Sequence, residues 1–396
     1  MSENIDNTIN DNINNSINDD KINIYEVALG MATGIGGVTA RQLLAHCGTA
    51  EEIFKSTKLL KIDGIGEKTI LALKNKELLR KAEKEVENAQ KLNISILFYT
   101  HQKFPQRLKQ IYDTPVLLYY NGNADLNAEK VISIVGTRKA TDYGKQFIEV
   151  FLKDIQKYNP LVVSGLAYGI DVMTHKECLN LGIQTIGVMA NGLDIVYPAI
   201  HKPIAQKMLT CGGLLCESAL GVKPDAPRFP ARNRIIAGMS DATIVVEAME
   251  KGGALITAEL ANDYNKEVFA LAGNYNAPTS AGCHKIIKEN KAHLITNAND
   301  MIELLNWDIE KRDAKTYQSF QQIKISSLDI SEQEIQILKL LQEKKEIHTD
   351  MLAFTLDIPN GILSMLLLNL EMKNIIETLP GKKYKITSMY HNRLAF

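Results

Sequence analysis

The chain has 396 residues, of which 45% are hydrophobic and 23% charged, with a formal net charge of −1 at pH 7. That length implies two or three domains, because one core rarely grows past roughly 250–300 residues. The charge balance argues against a histone-like coat, yet leaves room for a polyanion held by a local cluster of cations. Five cysteines, Cys47, Cys178, Cys211, Cys216 and Cys283, form no regular framework, which fits a reducing compartment. Cys211 and Cys216 are a close pair without a second Cys/His pair at zinc spacing, so no metal is expected. No signal pattern opens the chain, and no apolar run approaches the roughly 20 residues of a membrane span. The expectation is a cytoplasmic protein with no membrane partner.

Residues 1–22 are dominated by Asn, Asp and Ile and are expected to be a disordered tail. Residues 23–92 read as a helical, helix–hairpin–helix-like (SAM-like) domain. Its two glycine turns are Thr33-Gly34-Ile35-Gly36-Gly37, before a helix over Val38–His46, and Ile62-Asp63-Gly64-Ile65-Gly66, before one over Glu67–Asn75. Such turns can hold a phosphate at the following helix N-terminus, but they carry few basic residues beyond Arg41 and Lys68. A plain helical bundle with glycine turns explains the same pattern.

From 93 to 305 short β-branched runs alternate with helical stretches. The expected strands are Val131–Val135, Leu161–Ser164, Gln184–Met189, Gly213–Glu217, Ala242–Glu247 and Glu267–Ala272. Helices fit between them, at Asp142–Lys157, Asp171–Leu181, Ile200–Leu209 and Leu255–Tyr264. The fold class is therefore α/β, a Rossmann-like and mostly parallel sheet with helices on both faces. Residues 306–328 read as a linker. Residues 329–396 read as a winged helix: Ser331 and Glu334 cap a helix over Glu332–Gln342, a second covers Thr349–Leu356, and Pro359 opens a third ending near Lys373. Ile375–Leu379, Pro380-Gly381 and Tyr384–Thr387 form its wing. The third helix is apolar and nearly uncharged, so it suits a protein contact better than a duplex groove, although Lys382, Lys383 and Lys385 keep a phosphate contact open.

Open parallel sheets bind ligands at the carboxyl ends of their strands. There stand Gly136-Thr137-Arg138-Lys139, Ser164-Gly165-Leu166-Ala167-Tyr168-Gly169-Ile170-Asp171, and Gly252-Gly253 with Thr257. A loop after Cys216 holds Lys223 and ends in Pro227-Arg228-Phe229-Pro230-Ala231-Arg232-Asn233-Arg234. Glycine, hydroxyl and guanidinium groups converging on one edge favour anions. No dinucleotide fingerprint, Walker lysine or nucleophile elbow is present, so neither a cofactor nor a catalytic residue is expected. Asp171 and His175, one turn apart, read as a helix cap and a packed histidine. The Arg228–Arg234 segment is the most informative. An aromatic ring among three arginines is the chemistry of single strands, in which cations take phosphates and the ring takes an unstacked base.

These motifs resemble the DNA-processing protein A (DprA/Smf) family. The resemblance is carried by Ile134-Val135-Gly136-Thr137-Arg138, the Ser164–Asp171 run, Phe229–Gly238 and Gly253-Ala254-Leu255-Ile256-Thr257, over about residues 93–305. It implies a protein without a catalytic reaction. Such a protein binds and protects incoming single-stranded DNA during natural transformation and loads the recombinase RecA, acting as a homodimer. It also implies that Arg138 and Arg232–Arg234 line the DNA pocket over a Ser164–Gly169 floor. Ile286, Ile287 and Leu294 offer a dimer patch, although core packing explains the isoleucines equally well. The alternative is a phosphoribohydrolase-like enzyme, in which Glu259 stabilises an oxocarbenium-like centre and Arg138 holds the phosphate.

Overall fold

Val131–Val135 (β3) is buried at all five positions, the pattern of a strand covered on both faces. The computed structural model describes residues 22–56, 65–308, 323–324, 330–344, 346–379, 382–387 and 394–395. In it the other β-branched runs become Leu161–Ser164 (β4), Thr185–Val188 (β5), Gly212–Cys216 (β6), Ala242–Val245 (β7) and Glu267–Leu271 (β8). Ser95–Phe98 (β1), Leu117–Gly122 (β2) and His293–Ile295 (β9) complete the sheet. Among the described residues it has nine strands in the order β1-β2-β6-β5-β4-β3-β7-β8-β9. Strands β3 to β9 pair in parallel, while β2 runs antiparallel to both β1 and β6. The chain leaves β3 towards β4, β5 and β6, then returns on its other side as β7. This reversal opens a crevice between the ends of β3 and β7, the place where such sheets hold ligands.

Helices connect the parallel strands. Before the sheet come Ile24–Met31 (α1), Gly37–Cys47 (α2), Ala50–Lys55 (α3), Glu67–Leu73 (α4) and Lys76–Lys91 (α5). Gln106–Lys109 (α6), Asp142–Ile155 (α7), Ile170–Leu181 (α8), Lys202–Met208 (α9), Arg228–Met239 (α10), Gly253–Asp263 (α11), Ala281–Lys288 (α12) and Ala298–Leu304 (α13) follow. The first helices are not a separate bead. Val27, Leu29, Leu43 and Ile53 share one apolar cluster with Phe98, Tyr119 and Leu214 of the sheet, each such side chain contributing roughly 1.5–3 kcal/mol when buried. The first glycine turn is absorbed in this packing. A Cβ at Gly37 would lie 1.9 Å from the Thr114 carbonyl oxygen, and Arg41 donates to the Tyr112 carbonyl. The phosphate contact left open for this turn therefore finds its nearest arginine spent on the sheet domain.

The chain divides into two compact units, Met1–Leu305 and Asn306–Phe396. In the second, Glu332–Lys344 (α14), Thr349–Leu356 (α15) and Asn360–Met372 (α16) pack around Leu338, Leu341, Leu352, Leu363 and Leu367. Ile347–His348 (β11), Ile376–Leu379 (β12) and Lys383–Ile386 (β13) form an antiparallel sheet, and Ile323–Lys324 (β10) pairs with Leu394–Ala395 (β14). The Ser331–Glu334 box forms: Glu334 N donates to Ser331 Oγ at 3.3 Å and Ser331 N to the Glu334 carboxylate at 2.7 Å. The tail apart from Ile22, the start of the second glycine turn at Ile62–Gly64, nearly all of the linker and the Pro380-Gly381 turn lie outside the described residues. Among the described residues no single helix is long and apolar enough to cross a membrane.

Candidate nucleic-acid interface

At the β3–β7 crevice the loops lock onto one another. Thr137 N donates to the Glu247 carbonyl at 2.7 Å, and Ile170 N donates to the Thr137 carbonyl at 3.2 Å. The buried Glu247 carboxylate accepts from Thr141 N and Thr141 Oγ1, at 2.9 and 2.6 Å. A cleft of about 700 Å³ opens above these loops. Of the residues expected to bind DNA, Gly136, Thr137, Arg138, Ala167, Phe229, Arg232, Asn233, Gly252, Gly253 and Thr257 line it. Lys139, Ser164, Gly165, Tyr168, Gly169, Lys223, Arg228 and Arg234 lie outside that lining. Tyr197, Asp225, Met249 and Lys251 line it as well. None of these four is among the residues expected to bind DNA, and the sequence offers no signal for Asp225 or Met249.

The glycines divide into two kinds. Gly136, Gly165 and Gly169 are packing glycines. A Cβ would fall 2.4 Å from Ile170 at the first, 2.6 Å from Arg232 and Asp171 at the second, and 2.2 Å from the Thr137 carbonyl oxygen at the third, where φ is also +76°. They let loops approach, so the Ser164–Gly169 run is less an open floor than a sealed joint. Ser164 is fully buried and donates to the Ile134 carbonyl at 2.6 Å. Gly252 and Gly253 differ. A Cβ at Gly253 would meet nothing within 4 Å, and the pair opens α11 with exposed backbone. Here N–H groups and the helix dipole are available to an anion, beside the exposed Lys251.

The arginine segment is not a loop but the first turns of α10. Prolines suit a helix start, since the first N–H groups have no intrahelical partner. Helical geometry then keeps Arg228 and Arg232, one turn apart, on one face and turns Arg234 to another. Arg228 is exposed. Arg232, expected at the DNA surface, is only 7% exposed and donates to the Gly165 carbonyl at 2.7 Å and to the Val188 carbonyl. Burial lowers its pKa to about 10, against the pull of Asp171. Burial likewise pushes the Asp171 carboxyl above the ordinary range, with Arg232 opposing. Arg234 turns away from the cleft, donating to the Asp113 carbonyl at 2.6 Å and pairing with Glu217. Arg234 is therefore turned out of the pocket, whereas Arg232 stays in its lining with its guanidinium largely buried. The exposed cation in the lining from β3 is Arg138, whose guanidinium carbon lies 5.8 Å from the Phe229 ring centroid.

Three further expectations change. The N-cap of α8 is Gly169, so Asp171 sits inside its first turn, where it accepts from Ala167 N at 3.4 Å. His175 packs as expected, its Nδ1 2.7 Å from Thr185 Oγ1. Ile286 is buried against the sheet with Cys283, so it cannot form a surface patch. Ile287 is half-buried and Leu294, on the edge strand, is exposed. Glu259, which a phosphoribohydrolase would need at its centre, lies outside the cleft lining and pairs with Lys291 at 3.1 Å. Among the described residues no group of His, Cys, Asp and Glu side chains could hold a metal ion.

A family model described as DNA recombination-mediator protein A matches residues 95–306. The protein Smf of Synechocystis is 33% identical over 287 residues, 71% of this chain and 72% of its own length. The DNA processing protein DprA of Bacillus subtilis is 39% identical over 213 residues, 54% of this chain and 71% of its own. Among solved structures, DNA processing protein A of Streptococcus pneumoniae superposes with a TM-score of 0.58 at 30% identity, covering 72% of this chain and 98% of that one. DNA processing protein A of Helicobacter pylori, described for its unique single-stranded-DNA binding mode, gives a TM-score of 0.50 at 29% identity, covering 54% and 96%.

Proposed function

We propose, from the premise that this chain belongs to the DNA recombination-mediator protein A family, that it binds single-stranded DNA in the β3–β7 cleft. The observation that carries this reading is the pairing of the exposed Arg138 with Phe229 across a cleft from the bare N-terminus of α11. Arg138, Lys251 and the Gly252-Gly253 amides take phosphates. Lys139, Lys223 and Arg228, exposed outside the cleft lining, extend the positive surface. An aromatic ring of the cleft serves the bases, whose faces a duplex hides. The strand so held is protected and passed to RecA without being cut, and the protein works as a homodimer. The domains are those read from the sequence: tail 1–22, helical domain 23–92, DNA-binding core 93–305, linker 306–328 and winged helix 329–396.

Fluorescence anisotropy with labelled oligo-dT and a duplex of equal length tests this. Single strands are expected to bind more tightly, with affinity falling between about 50 and 200 mM salt. Arg138→Ala is expected to weaken binding and to lower the log–log salt slope by about 0.7, the value for one phosphate contact. Equal affinity for the duplex, or an unchanged slope in Arg138→Ala, contradicts the assignment.

The second unit is proposed as an arm for a protein partner. The outward face of α16 carries Ile362, Met365, Leu368 and Met372, all exposed and none charged. A duplex-reading helix needs polar side chains there. Deleting residues 325–396 is expected to leave oligo-dT affinity within about twofold, an effect below roughly 0.5 kcal/mol. A tenfold loss in the same anisotropy assay would make this unit a DNA reader.

A further inference from the structure

We infer that Tyr197 is the base-stacking platform of the cleft, and that Phe229 holds Arg138 in position instead of receiving a base. The inference rests on the single-strand reading above and assigns its aromatic chemistry to a residue 32 positions from the arginine segment. Phe229 is half-buried and engaged twice, by the Arg138 guanidinium at 5.8 Å and by the Tyr197 ring at 5.9 Å and 53°. A ring with a cation against it and a second ring beside it has little face left for a nucleobase. Tyr197 is 46% exposed and belongs to the cleft lining. Tyr168 is equally exposed at 49%, but its ring meets His201 at 5.0 Å and lies outside the lining.

The segment bearing Tyr197 is built to be rigid. The buried Asn191 amide donates to the Gly192 and Ile195 carbonyls at 2.9 and 2.5 Å. The Asp194 carboxylate accepts from Gly221 N at 3.0 Å, which ties this segment to the loop leading into α10. A platform fixed before binding loses little conformational freedom when a base lands on it. The three side chains thus make a ladder: Arg138 for the phosphate, Phe229 as its brace, and Tyr197 for the base.

The test uses the full chain with two probes of equal length, oligo-dT and a strand of abasic sugars. The wild-type chain is expected to prefer oligo-dT. Tyr197→Phe should keep that preference. Tyr197→Leu should lose roughly 5- to 150-fold in oligo-dT affinity, the range for one stacked base, with the abasic affinity and the salt slope unchanged. Phe229→Leu should instead weaken both probes alike and flatten the salt slope, as a loosened Arg138 would. Circular dichroism confirms that each variant is folded. The inference is overturned if Tyr197→Leu binds oligo-dT as the wild type does, or if Phe229→Leu alone abolishes the preference for bases. A wild-type chain that binds neither probe overturns the single-strand reading itself, and this inference with it.

Discussion

Arg232→Ala is expected to cost about 3–5 kcal/mol of folding stability, the penalty for leaving a buried group without the opposite charge beside it. Arg232 and Asp171 are each 7% exposed. Without the guanidinium, the Gly165 and Val188 carbonyls lose their donor, and Asp171 loses the positive charge beside it while keeping its hydrogen bonds from Ala167, Ser164 and Gly165. Urea denaturation measures the loss as a lower midpoint at constant slope. The double variant Asp171→Asn/Arg232→Met is expected to be more stable than Arg232→Ala alone, since it leaves no uncompensated charge. Arg138→Ala, at an exposed site, is expected to fall within about 0.5 kcal/mol of the wild type. If Arg232→Ala matches the wild type in stability, the pair is not the strut described. The same variant should leave the salt slope of DNA binding intact, because the Arg232 guanidinium is buried and its Nη1 is held by the Gly165 and Val188 carbonyls.

Acid should destabilise the protein through His175. Burial lowers its pKa from 6.5 to about 3, with Arg232 and His201 adding repulsion. The unfolded chain takes up a proton below about pH 6.5 while the native state refuses it, so stability is complete above 6.5 and is lost as pH falls towards 3. Between pH 6.5 and pH 4 the loss through this group is about 3 kcal/mol. Asp171 acts in the opposite sense. Its folded pKa is raised, so the native state holds that proton more tightly than the unfolded chain, and acidification favours folding there. Comparing the wild type with His175→Gln separates the two, because only the histidine contribution disappears. Urea midpoints at pH 7 and pH 4 should differ by less in the variant. An equal difference in both proteins means that His175 is not held neutral.

The sheet was legible because its strands are buried on both faces. Val131–Val135 and Leu161–Ser164 are nearly unbroken apolar runs bounded by loop residues, and their ends fall where the pattern places them. β1 and β2 pair antiparallel at one edge of the sheet and β9 closes the other, and their short runs carry no comparable pattern. The arginine segment was misread as a loop because its two prolines look like breakers, although within the first turns of a helix they cost little. That reading grouped Arg228, Arg232 and Arg234 as one cationic strip. The helix turns Arg234 away from the other two, and Arg232, one turn after the exposed Arg228, is held inside by the Gly165 and Val188 carbonyls.

By itself the sequence determined the central strands with several of the helices between them, and the family. Those depend on apolar periodicity and on local motifs, which act over a few residues. Which cation faces the cleft, which glycine is bare and which aromatic rings border the cleft were decided only by the tertiary structure. Arg138 and Arg232 are the same residue type on two converging elements, yet one is exposed and the other lies under Gly165. Gly169 and Gly253 both begin helices, yet one is pressed against Thr137 and the other is open. Burial and the neighbours supplied by distant strands separate each pair, and the crossover that brings β7 beside β3 supplies both.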